Sequence, residues 1–409
     1  MIRLSRLPAL INTSVRLPWS KSILNRVLIL KYLAGDSLQH IFHPEEDDLL
    51  ANDTRLMLEN LVSESPIKNV EDAGTVMRFL TALYALSGKE IFLRGTARMH
   101  QRPVRELVNA LRKLGADILY EQAEGFPPLH MKPSVIKGGE IEINGSESSQ
   151  FISALLMIAP YLKGGLNIIT KEEPVSLSYI DLTIHLMKQW GASVAKEDHS
   201  IKVTEGTYSK NKALVYEADW SAASYWYLLV SACKGSAVNL PGLLVQSFQG
   251  DRILAEWMKE FGVYTEVTED GCRIFSGTLP VAKRFEKDFS FCPDLVPAFA
   301  VACSLHGVHG IFHGVAHLQL KESNRIEALK TELAKVNSKL SYSNGSLEVL
   351  PGIFNTPKQA FNTWKDHRIA MSLAGFACFV PVEIEEEEVV NKSYPSFWAN
   401  LVKAGFVCK

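Results

Sequence analysis

The feature that most constrains the fold of this 409-residue chain is a pair of repeating helical patterns. Apolar segments that begin with polar or small residues recur six times, at intervals of 52, 75, 72, 73 and 73 residues. Their starts are Ser22, Gly74, Ser149, Ser221, Asp294 and His367. A second, amphipathic pattern alternates with the first and ends at Gly115, Gly191, Gly262, Asn337 and Gly405. Two series with a common period predict one supersecondary unit that is repeated six times.

Each repeat predicts a strand, a buried helix, a second strand, an amphipathic helix and a β-hairpin. The segments "ASVAKEDHSIKVTEG" and "VYTEVTEDGCRIFSG" are examples of the hairpins. Six such βαβαββ units contain more elements than one hydrophobic core can hold. We therefore predict an α/β fold of two domains, each with three βαβαββ repeats and buried helices. The first domain is expected to span residues 19–217, and the second to combine residues 1–18 with residues 218–409.

The overall composition argues against several functional classes. A formal net charge of −2 gives the chain no general attraction for nucleic acid or membrane surfaces. The longest apolar segments run about a dozen residues, which is too short to span a bilayer. Six scattered cysteines without a C-x-x-C pair favour reduced thiols over a disulfide framework. Residues 1–21 also lack the character of a targeting segment, so we expect a cytoplasmic protein. We also expect it to act as a monomer on small molecules.

The first buried helix carries basic residues at the end where a helix disfavours them. In "LPWSKSILNR", residues 17–26, Lys21 and Arg26 lie in the first turns of this helix. A helix N-terminus has unpaired N–H groups and the positive end of the dipole, so it attracts anions and repels cations. Capping explains the hydroxyl groups in this segment but not its cations. An anion bound at the helix start would explain both.

Further basic residues lie at or near helix starts along the chain. They are Arg78, Arg102, Lys321, Arg325, Arg368 and Lys392. Arginine binds carboxylate and phosphate through two parallel hydrogen bonds, and lysine supplies a compact charge. Neither G-x-G-x-x-G nor G-x-x-x-x-G-K-[ST] occurs, which argues against dinucleotides and P-loop nucleotides. The sequence therefore predicts a site for one or two small ligands that carry several phosphate and carboxylate groups.

Eight motifs, in order, resemble those of the 5-enolpyruvylshikimate-3-phosphate synthases, a family of enolpyruvyl transferases. They are "LPWSKSILNR", "DAGTVMRFLTA", "RMHQRPVRELVNALRKLGA", "SSQFISALLM", "SLSYIDLTIHLM", "LKESNRI", "KDHRIAMS" and "KSYPSFW". The resemblance covers about residues 15–400 and implies the two-domain enolpyruvyl transferase fold, an inside-out α/β barrel with its active site in a closing cleft. It implies transfer of the carboxyvinyl group of phosphoenolpyruvate to the 5-hydroxyl of shikimate 3-phosphate, with release of phosphate and without metal or cofactor. That reaction belongs to chorismate and aromatic amino-acid biosynthesis.

The resemblance also assigns residues to each substrate. Phosphoenolpyruvate is assigned to Lys21, Gly74, Arg102, Gln150, Arg325, Arg368 and Lys392. Shikimate 3-phosphate is assigned to Lys21, Ser22, Arg26, Ser148, Ser149, Gln150, Ser176, Asp294, His317 and Lys321. Asp294 is expected to accept the proton of the attacking hydroxyl, and Glu322 to deliver and later remove the proton at the methylene carbon. Lys21 is expected to stabilise charge between the two ligands.

Four positions depart from the common pattern of the family. Trp19 stands where a small residue is usual, and His317 replaces a frequent Asn or Arg. Asp72 replaces a frequent Asn and brings a negative charge near a predicted anion site, unless it caps its helix instead. Asn324 replaces an Asp and removes a partner for Arg325. Because the acid, base and arginine positions are all present, the resemblance implies an active enzyme.

The same residues suggest three other interpretations. The nearest is UDP-N-acetylglucosamine enolpyruvyl transferase, but the loop "RGTARMHQRPVR" lacks the reactive Cys typical of that family. A second is a catalytically weakened homologue that acts as a binding module, which the changes at Asp72 and Asn324 motivate. A third is a metal site in "HGVHGIFHGVAHLQL", whose four histidines are spaced by 3, 4 and 4 residues. The glycines in that segment argue against the helix such a site needs and predict a turn into a strand.

Overall fold

The computed structural model describes residues 1–6, 10–145, 148–172, 174–278 and 281–409. The chain forms two compact units. Unit 1 contains Met1–Ser20, Glu46–Ala51 and Tyr216–Lys409, and unit 2 contains Lys21–Glu45 and Asn52–Val215. The short segment Glu46–Ala51 therefore belongs to unit 1, although the residues on both sides of it belong to unit 2.

Strands and helices alternate along most of the chain. The strands are β1 (Ile2–Arg6), β2 (Asn12–Ser14), β3 (Ile67–Asn69), β4 (Ile91–Arg94), β5 (Asp117–Tyr120), β6 (Leu129–Lys132), β7 (Gly139–Ile143), β8 (Leu166–Thr170), β9 (Val194–Glu197), β10 (Ser200–Val203), β11 (Ala237–Pro241), β12 (Val263–Val267), β13 (Gly271–Ser276), β14 (Arg284–Asp288), β15 (His309–His313), β16 (Ser338–Ser343), β17 (Ser346–Pro351), β18 (Val382–Ile384) and β19 (Phe406–Cys408). The α-helices are α1 (Lys21–Ala34), α2 (Asn52–Val62), α3 (Gly74–Ser87), α4 (Arg105–Lys113), α5 (Ser149–Ile158), α6 (Leu177–Gln189), α7 (Trp220–Ala232), α8 (Leu254–Trp257), α9 (Val296–His306), α10 (Arg325–Ala334), α11 (His367–Leu373) and α12 (Phe397–Lys403). Short 3₁₀ helices cover Pro44–Leu49, Met99–Gln101, Ala159–Tyr161, Gly250–Ile253, Met258–Phe261, Pro293–Leu295, Ala316–Leu320, Ala374–Cys378 and Glu387–Lys392.

Four four-stranded sheets share one strand order, in which the first two strands are followed by the fourth and then the third. Each sheet is formed by one βαβαββ unit of the kind predicted from the repeats. Unit 2 holds the sheets β3-β4-β6-β5 and β7-β8-β10-β9, and unit 1 holds β2-β11-β13-β12 and β14-β15-β17-β16. In each sheet the first two strands are parallel and the last two form an antiparallel hairpin. In the β7–β10 sheet, for example, Ile168 lies opposite Ile141 on one side and Ile201 on the other.

The remaining two repeats are built differently. The last one uses β1, which pairs antiparallel with both β18 and β19, so a strand from the start of the chain completes the sheet. Phe361 adds a parallel bridge to Ile384 on the outer side of β18. The first repeat contributes α1 and α2, and the described residues between these two helices contain no strand.

Buried helices form the interior of each unit, as their apolar sequences predict. In unit 2, α1, α3 and α5 pack against one another, and in unit 1 α9 packs against α7 and α11. Twelve of the 13 residues of α7 are buried, as are all seven residues of α11. Together with the sheets, these helices confirm the predicted α/β fold class. None of the helices in the described ranges is long and apolar enough to cross a lipid bilayer.

Candidate active site

Five charged side chains of unit 1, Asp294, Glu322, Arg325, Asp366 and Arg368, form an ion-paired group that we call the arginine–carboxylate cluster. Arg325 lies at its centre, where Nη1 binds Asp294 Oδ1 and Nη2 binds Glu322 Oε2, both at 2.8 Å. Its Nε binds Asp366 Oδ2, also at 2.8 Å. Arg368 Nη2 binds the second oxygen of Asp294 at 2.7 Å. The structure thus brings the predicted base and the predicted acid into contact with one arginine.

Electrostatics fix the charge states within this cluster. Burial raises the pKa of the Asp294 carboxyl, but the guanidiniums of Arg368 and Arg325 lower it by more, so the pKa lies well below its ordinary value. Burial lowers the pKa of Arg325, whereas Asp366, Glu322 and Asp294 raise it by more, so the pKa lies above its ordinary value. Asp294 is therefore a carboxylate in this state, able to accept a proton but held by two cations.

Asp366 connects the cluster to the start of a buried helix. Its side chain caps α11 by accepting a hydrogen bond from the backbone N–H of Arg368 at 2.9 Å. The same carboxylate binds Arg325 and accepts a hydrogen bond from Ser323 Oγ at 3.1 Å. Because Asp366 is completely buried, its cap and its ion pair together hold the first residues of α11 against the start of α10.

A second buried carboxylate lies behind Arg368. Asp251 Oδ2 accepts a hydrogen bond from Ser221 Oγ, and that hydroxyl oxygen accepts one from Arg368 Nη2 at 3.4 Å. Burial, and then the negative charge of Asp294, raises the pKa of Asp251 to about 7. Asp251 was not among the residues predicted from the sequence. Asp251 lies in the short 3₁₀ helix Gly250–Ile253, and an acidic residue at a helix start is ordinarily explained by its favourable interaction with the helix dipole.

Three further predicted residues lie near the cluster. Lys392 Nζ is 3.9 Å from Glu322 Oε1, and the charge of Lys321 lowers the pKa of Asp294. His317 is 7% exposed, and its Nε2 has no hydrogen-bond partner among the residues that the structure describes. Burial, followed by the charge of Lys321, lowers the pKa of His317 to about 3, so its ring is neutral at physiological pH.

Two departures from the family pattern have structural explanations. Asn324 caps α10, because its Oδ1 accepts a hydrogen bond from the backbone N–H of Glu327 at 3.2 Å. The alternative that Asp72 caps α3 is wrong, since that helix begins at Gly74 without a side-chain cap. The Asp72 carboxylate instead accepts a hydrogen bond from Thr96 Oγ1.

In unit 2, Arg78 and Arg102 meet at the start of α3, and we call them the guanidinium pair. Gly74 is the first residue of α3, and a methyl group placed on it would overlap Arg78 Nη1 and lie 2.6 Å from Arg102 Nη1. The two arginines are 4% and 6% exposed. Arg102 Nη1 also donates to the carbonyl oxygen of Asp72 at 3.2 Å. Two buried cations beside a helix N-terminus form a strong binding site for an anion.

The segment that carries Lys21 and Arg26 also lies at the start of a buried helix. Lys21, the first residue of α1, forms a 2.9 Å ion pair with Asp53, which was not among the residues predicted from the sequence. Arg26 is 2% exposed, and its guanidinium donates to Thr183 Oγ1 at 2.6 Å and to the Ser22 carbonyl oxygen at 2.7 Å. Burial lowers the pKa of Arg26 to about 10, so this side chain still carries its charge at neutral pH.

The predicted serine and glutamine residues lie at the starts of two other helices in unit 2. Ser148 caps α5 by accepting a hydrogen bond from the Gln150 N–H at 3.3 Å, and Ser149 is the first residue of that helix. Gln150 Nε2 donates to Thr75 Oγ1 on α3 at 3.2 Å. Ser176, directly before α6, has a φ of +56° and is 2% exposed. Within the described ranges nothing hydrogen-bonds to its Oγ.

Trp19 and the four spaced histidines have contacts of their own. Trp19 lies against Tyr216 within unit 1, with ring centroids 4.4 Å apart. The turn into a strand predicted for the histidine segment is confirmed, because α9 gives way to β15 at Gly307 with a φ of +68°. His309 and His313, both on β15, contact different carboxylates, Glu348 at 2.7 Å and Glu286 at 3.0 Å. Across the described part of the chain, no three His, Cys, Asp or Glu side chains form a group that could hold a metal ion.

The fold of the chain is that of the enolpyruvyl transferases. A solved EPSP synthase structure from Acinetobacter baumannii aligns with 100% of this chain and 100% of its own, with a TM-score of 0.77 and 19% sequence identity. At that identity the similarity establishes the fold.

Sequence comparison then identifies the family. The family model for EPSP synthase (3-phosphoshikimate 1-carboxyvinyltransferase) matches residues 59–401. A 3-phosphoshikimate 1-carboxyvinyltransferase from Bacteroides fragilis (strain YCH46) is 42% identical over 411 residues, which cover 98% of this chain and 97% of the relative. Another, from Sulfurovum sp. (strain NBC37-1), is 34% identical and covers 95% of each chain. The chain therefore belongs to the EPSP synthase family.

Proposed function

We propose that this chain transfers the enolpyruvyl (1-carboxyvinyl) group of phosphoenolpyruvate to the 5-hydroxyl of shikimate 3-phosphate and releases phosphate, within chorismate biosynthesis. The observation that carries the proposal is the pairing of Asp294 and Glu322 with one buried guanidinium, at 2.8 Å each. The reaction takes a proton from a hydroxyl and gives one to an alkene, so it needs a base and an acid near each other. The cations beside them match substrates that carry phosphate and carboxylate groups.

We assign the binding residues as the family resemblance does. For phosphoenolpyruvate, the support in unit 2 is Arg102 of the guanidinium pair beside Gly74, and in unit 1 it is the grouping of Arg325, Arg368 and Lys392 around the two carboxylates. For shikimate 3-phosphate, the support is the buried polar atoms of Ser176 and His317, whose hydrogen-bonding capacity no described residue uses. A polyhydroxylated phosphate ester would supply those hydrogen bonds.

The ion pairs around Asp294 indicate how binding prepares the base. Arg325 and Arg368 hold Asp294 as a carboxylate of low basicity. An anionic substrate group that binds these guanidiniums competes with Asp294 for them, and the loss of each contact raises the pKa of Asp294. Binding of phosphoenolpyruvate therefore makes Asp294 a better base at the point when a proton must be accepted.

The proposed steps balance in atoms and charge. Glu322 gives a proton to the methylene carbon of phosphoenolpyruvate, the 5-oxygen of shikimate 3-phosphate bonds to the adjacent carbon, and Asp294 takes the hydroxyl proton. The carbon–oxygen bond to phosphate then breaks, the departing phosphate takes the proton held by Asp294, and the new methyl group returns a proton to Glu322. The products are the enolpyruvyl ether and phosphate, and neither a metal nor a cofactor is required. We further propose that the chain acts as a monomer in the cytoplasm, with its cysteines reduced.

Replacing Gly74 by alanine is expected to raise the KM for phosphoenolpyruvate about tenfold, or about 1.4 kcal/mol, through a weakened charge-assisted hydrogen bond. The added methyl group displaces the ends of Arg78 and Arg102, which are flexible, so the fold should tolerate the change. Steady-state kinetics with each substrate varied in turn measure the effect. Gly206→Ala is the matched control, because a methyl group there meets nothing within 4 Å. An unchanged KM for phosphoenolpyruvate would remove Gly74 from the proposed site.

A coupled phosphate-release assay tests the proposed function. Purified full-length protein with both substrates should release phosphate and form the enolpyruvyl ether in equal amounts. Replacing shikimate 3-phosphate with UDP-N-acetylglucosamine should give no phosphate, and the opposite pattern would establish the rival transferase activity. Binding of both substrates without phosphate release at millimolar concentrations would instead establish a binding module and refute the proposal.

A further inference from the structure

Two consecutive residues with side chains adopt the left-handed backbone conformation just before the arginine–carboxylate cluster. Trp364 has a φ of +55° and Lys365 a φ of +54°. They form the turn that leads directly into Asp366, which caps α11 and binds Arg325. The left-handed conformation is sterically unfavourable for residues other than glycine, so it persists only where surrounding contacts fix it. Some group must therefore hold this turn in place.

Glu332, on α10, is a buried group that contacts the turn from a neighbouring helix. It is 1% exposed, and its Oε1 accepts a hydrogen bond from the indole Nε1 of Trp364 at 2.9 Å. Its Oε2 accepts a hydrogen bond from the backbone N–H of Asn362 at 3.0 Å and pairs with Lys335 at 2.7 Å. One buried carboxylate thus binds both the residue that begins the turn and the first of the two left-handed residues.

The same helix also contacts the other side of the turn. Arg325 begins α10, and Glu332 lies seven residues later, which places the two side chains on the same face two turns apart. Arg325 binds Asp366, which directly follows the left-handed pair. Glu332 binds Asn362, which lies before the pair, and Trp364, which is its first member. Helix α10 therefore holds residues 362–366 at both ends, and Arg368 follows two residues later, as the second residue of α11.

We propose that Glu332 is a positioning residue for the transferase reaction: it holds the left-handed turn and so sets the position of Asp366 and of the Arg368 guanidinium. The inference rests on the proposed function, in which Arg368 binds phosphoenolpyruvate. Glu332 acts through the backbone of residues 362–366 and not by contact with substrate.

Replacing Glu332 by glutamine tests the proposal, because the amide keeps the shape but offers one acceptor where the carboxylate offers two. We expect the KM for phosphoenolpyruvate to rise about tenfold, with a smaller change in kcat and a KM for shikimate 3-phosphate within about twofold of wild type. Trp364→Phe removes a single hydrogen bond and should raise the KM for phosphoenolpyruvate about threefold. Glu327→Gln is the matched control, an exposed carboxylate on the same helix whose partner is Lys330.

A rescue experiment separates positioning from general stability. Glycine adopts the left-handed conformation without steric cost, so Lys365→Gly should lessen the need for Glu332. The double variant Glu332→Gln/Lys365→Gly should bring the KM for phosphoenolpyruvate back to within about threefold of wild type. A single Glu332→Gln variant with wild-type KM, whatever its melting temperature, would overturn the proposal, and so would a double variant without recovery.

The experiment gives an answer even if Glu332→Gln does not fold. In that case Trp364→Phe decides, since a raised KM for phosphoenolpyruvate supports the proposal and a wild-type KM overturns it. Wild-type turnover measured in the same assay tests the proposed function separately, so the failure of one hypothesis is distinguishable from the failure of the other.

Discussion

Replacing Asp294 by asparagine is expected to lower kcat about 10²- to 10⁴-fold, the range that a general base contributes. Asparagine has nearly the same shape but cannot accept the hydroxyl proton. Because Asp294 also binds Arg325 and Arg368, its replacement weakens one ion pair on each of the two guanidiniums that we propose bind phosphoenolpyruvate. The KM for phosphoenolpyruvate should therefore stay unchanged or fall, which distinguishes a lost base from a damaged binding site.

Phosphate release under saturating substrates measures this effect. Asp270→Asn is the matched control, since that carboxylate is exposed at the surface of unit 1 and bonds to Thr268. A kcat for Asp294→Asn within tenfold of wild type would assign the base to another residue. Asp251 would then be the first candidate, because it is buried behind Arg368 and its pKa is raised to about 7.

Replacing Glu322 by glutamine is expected to lower kcat by a similar factor, about 10²- to 10⁴-fold, because an amide has no proton to give to the methylene carbon. The variant should also take up solvent hydrogen more slowly. In D₂O the wild-type enzyme should place deuterium at the methylene carbon, since Glu322 exchanges its proton with solvent between turnovers. Glu322→Gln should incorporate deuterium there at a rate lowered by the same factor as kcat, because every turnover passes through protonation of that carbon.

Mass spectrometry of the product and of recovered phosphoenolpyruvate measures the label. Glu269→Gln, an exposed carboxylate of unit 1, serves as the control and should label as wild type does. If Glu322→Gln incorporated deuterium at the wild-type rate, another group would be moving the proton, and the assignment of Glu322 as the acid would be wrong.

Local patterns made much of the fold predictable. The two quoted hairpins are β9–β10 and β12–β13, because alternating apolar residues around a short turn specify a hairpin from a few neighbouring positions. The buried helices were equally clear, since their apolar residues occupy every side of the helix. The pairing of β1 with β18 and β19 was not predictable, because it joins residues almost 400 positions apart. No local feature of the sequence explains why the described residues between α1 and α2, in the first repeat, form no strand.

The residues of the candidate site also differ in how well the sequence predicts them. Lys21, Arg78 and Arg368 could be selected because cations at the start of an apolar helix conflict with the helix dipole. Two buried carboxylates near these cations, Asp53 and Glu332, were harder to select from the sequence. Asp53 lies in the first turn of α2, where an acidic residue ordinarily favours the helix dipole, and Glu332 looks like a surface charge of an amphipathic helix. Only the tertiary structure shows that both are buried and paired.

The position of β1 has a consequence for the order in which the chain folds during synthesis. β1 is made before every other element of unit 1, whereas its two neighbours, β18 and β19, follow it only after more than 370 residues. All of unit 2, which ends at Val215, emerges in the meantime and can fold on its own contacts. The third sheet of unit 1 can close only after β19 has emerged, so β1 remains an unpaired strand while the segment between them is synthesised.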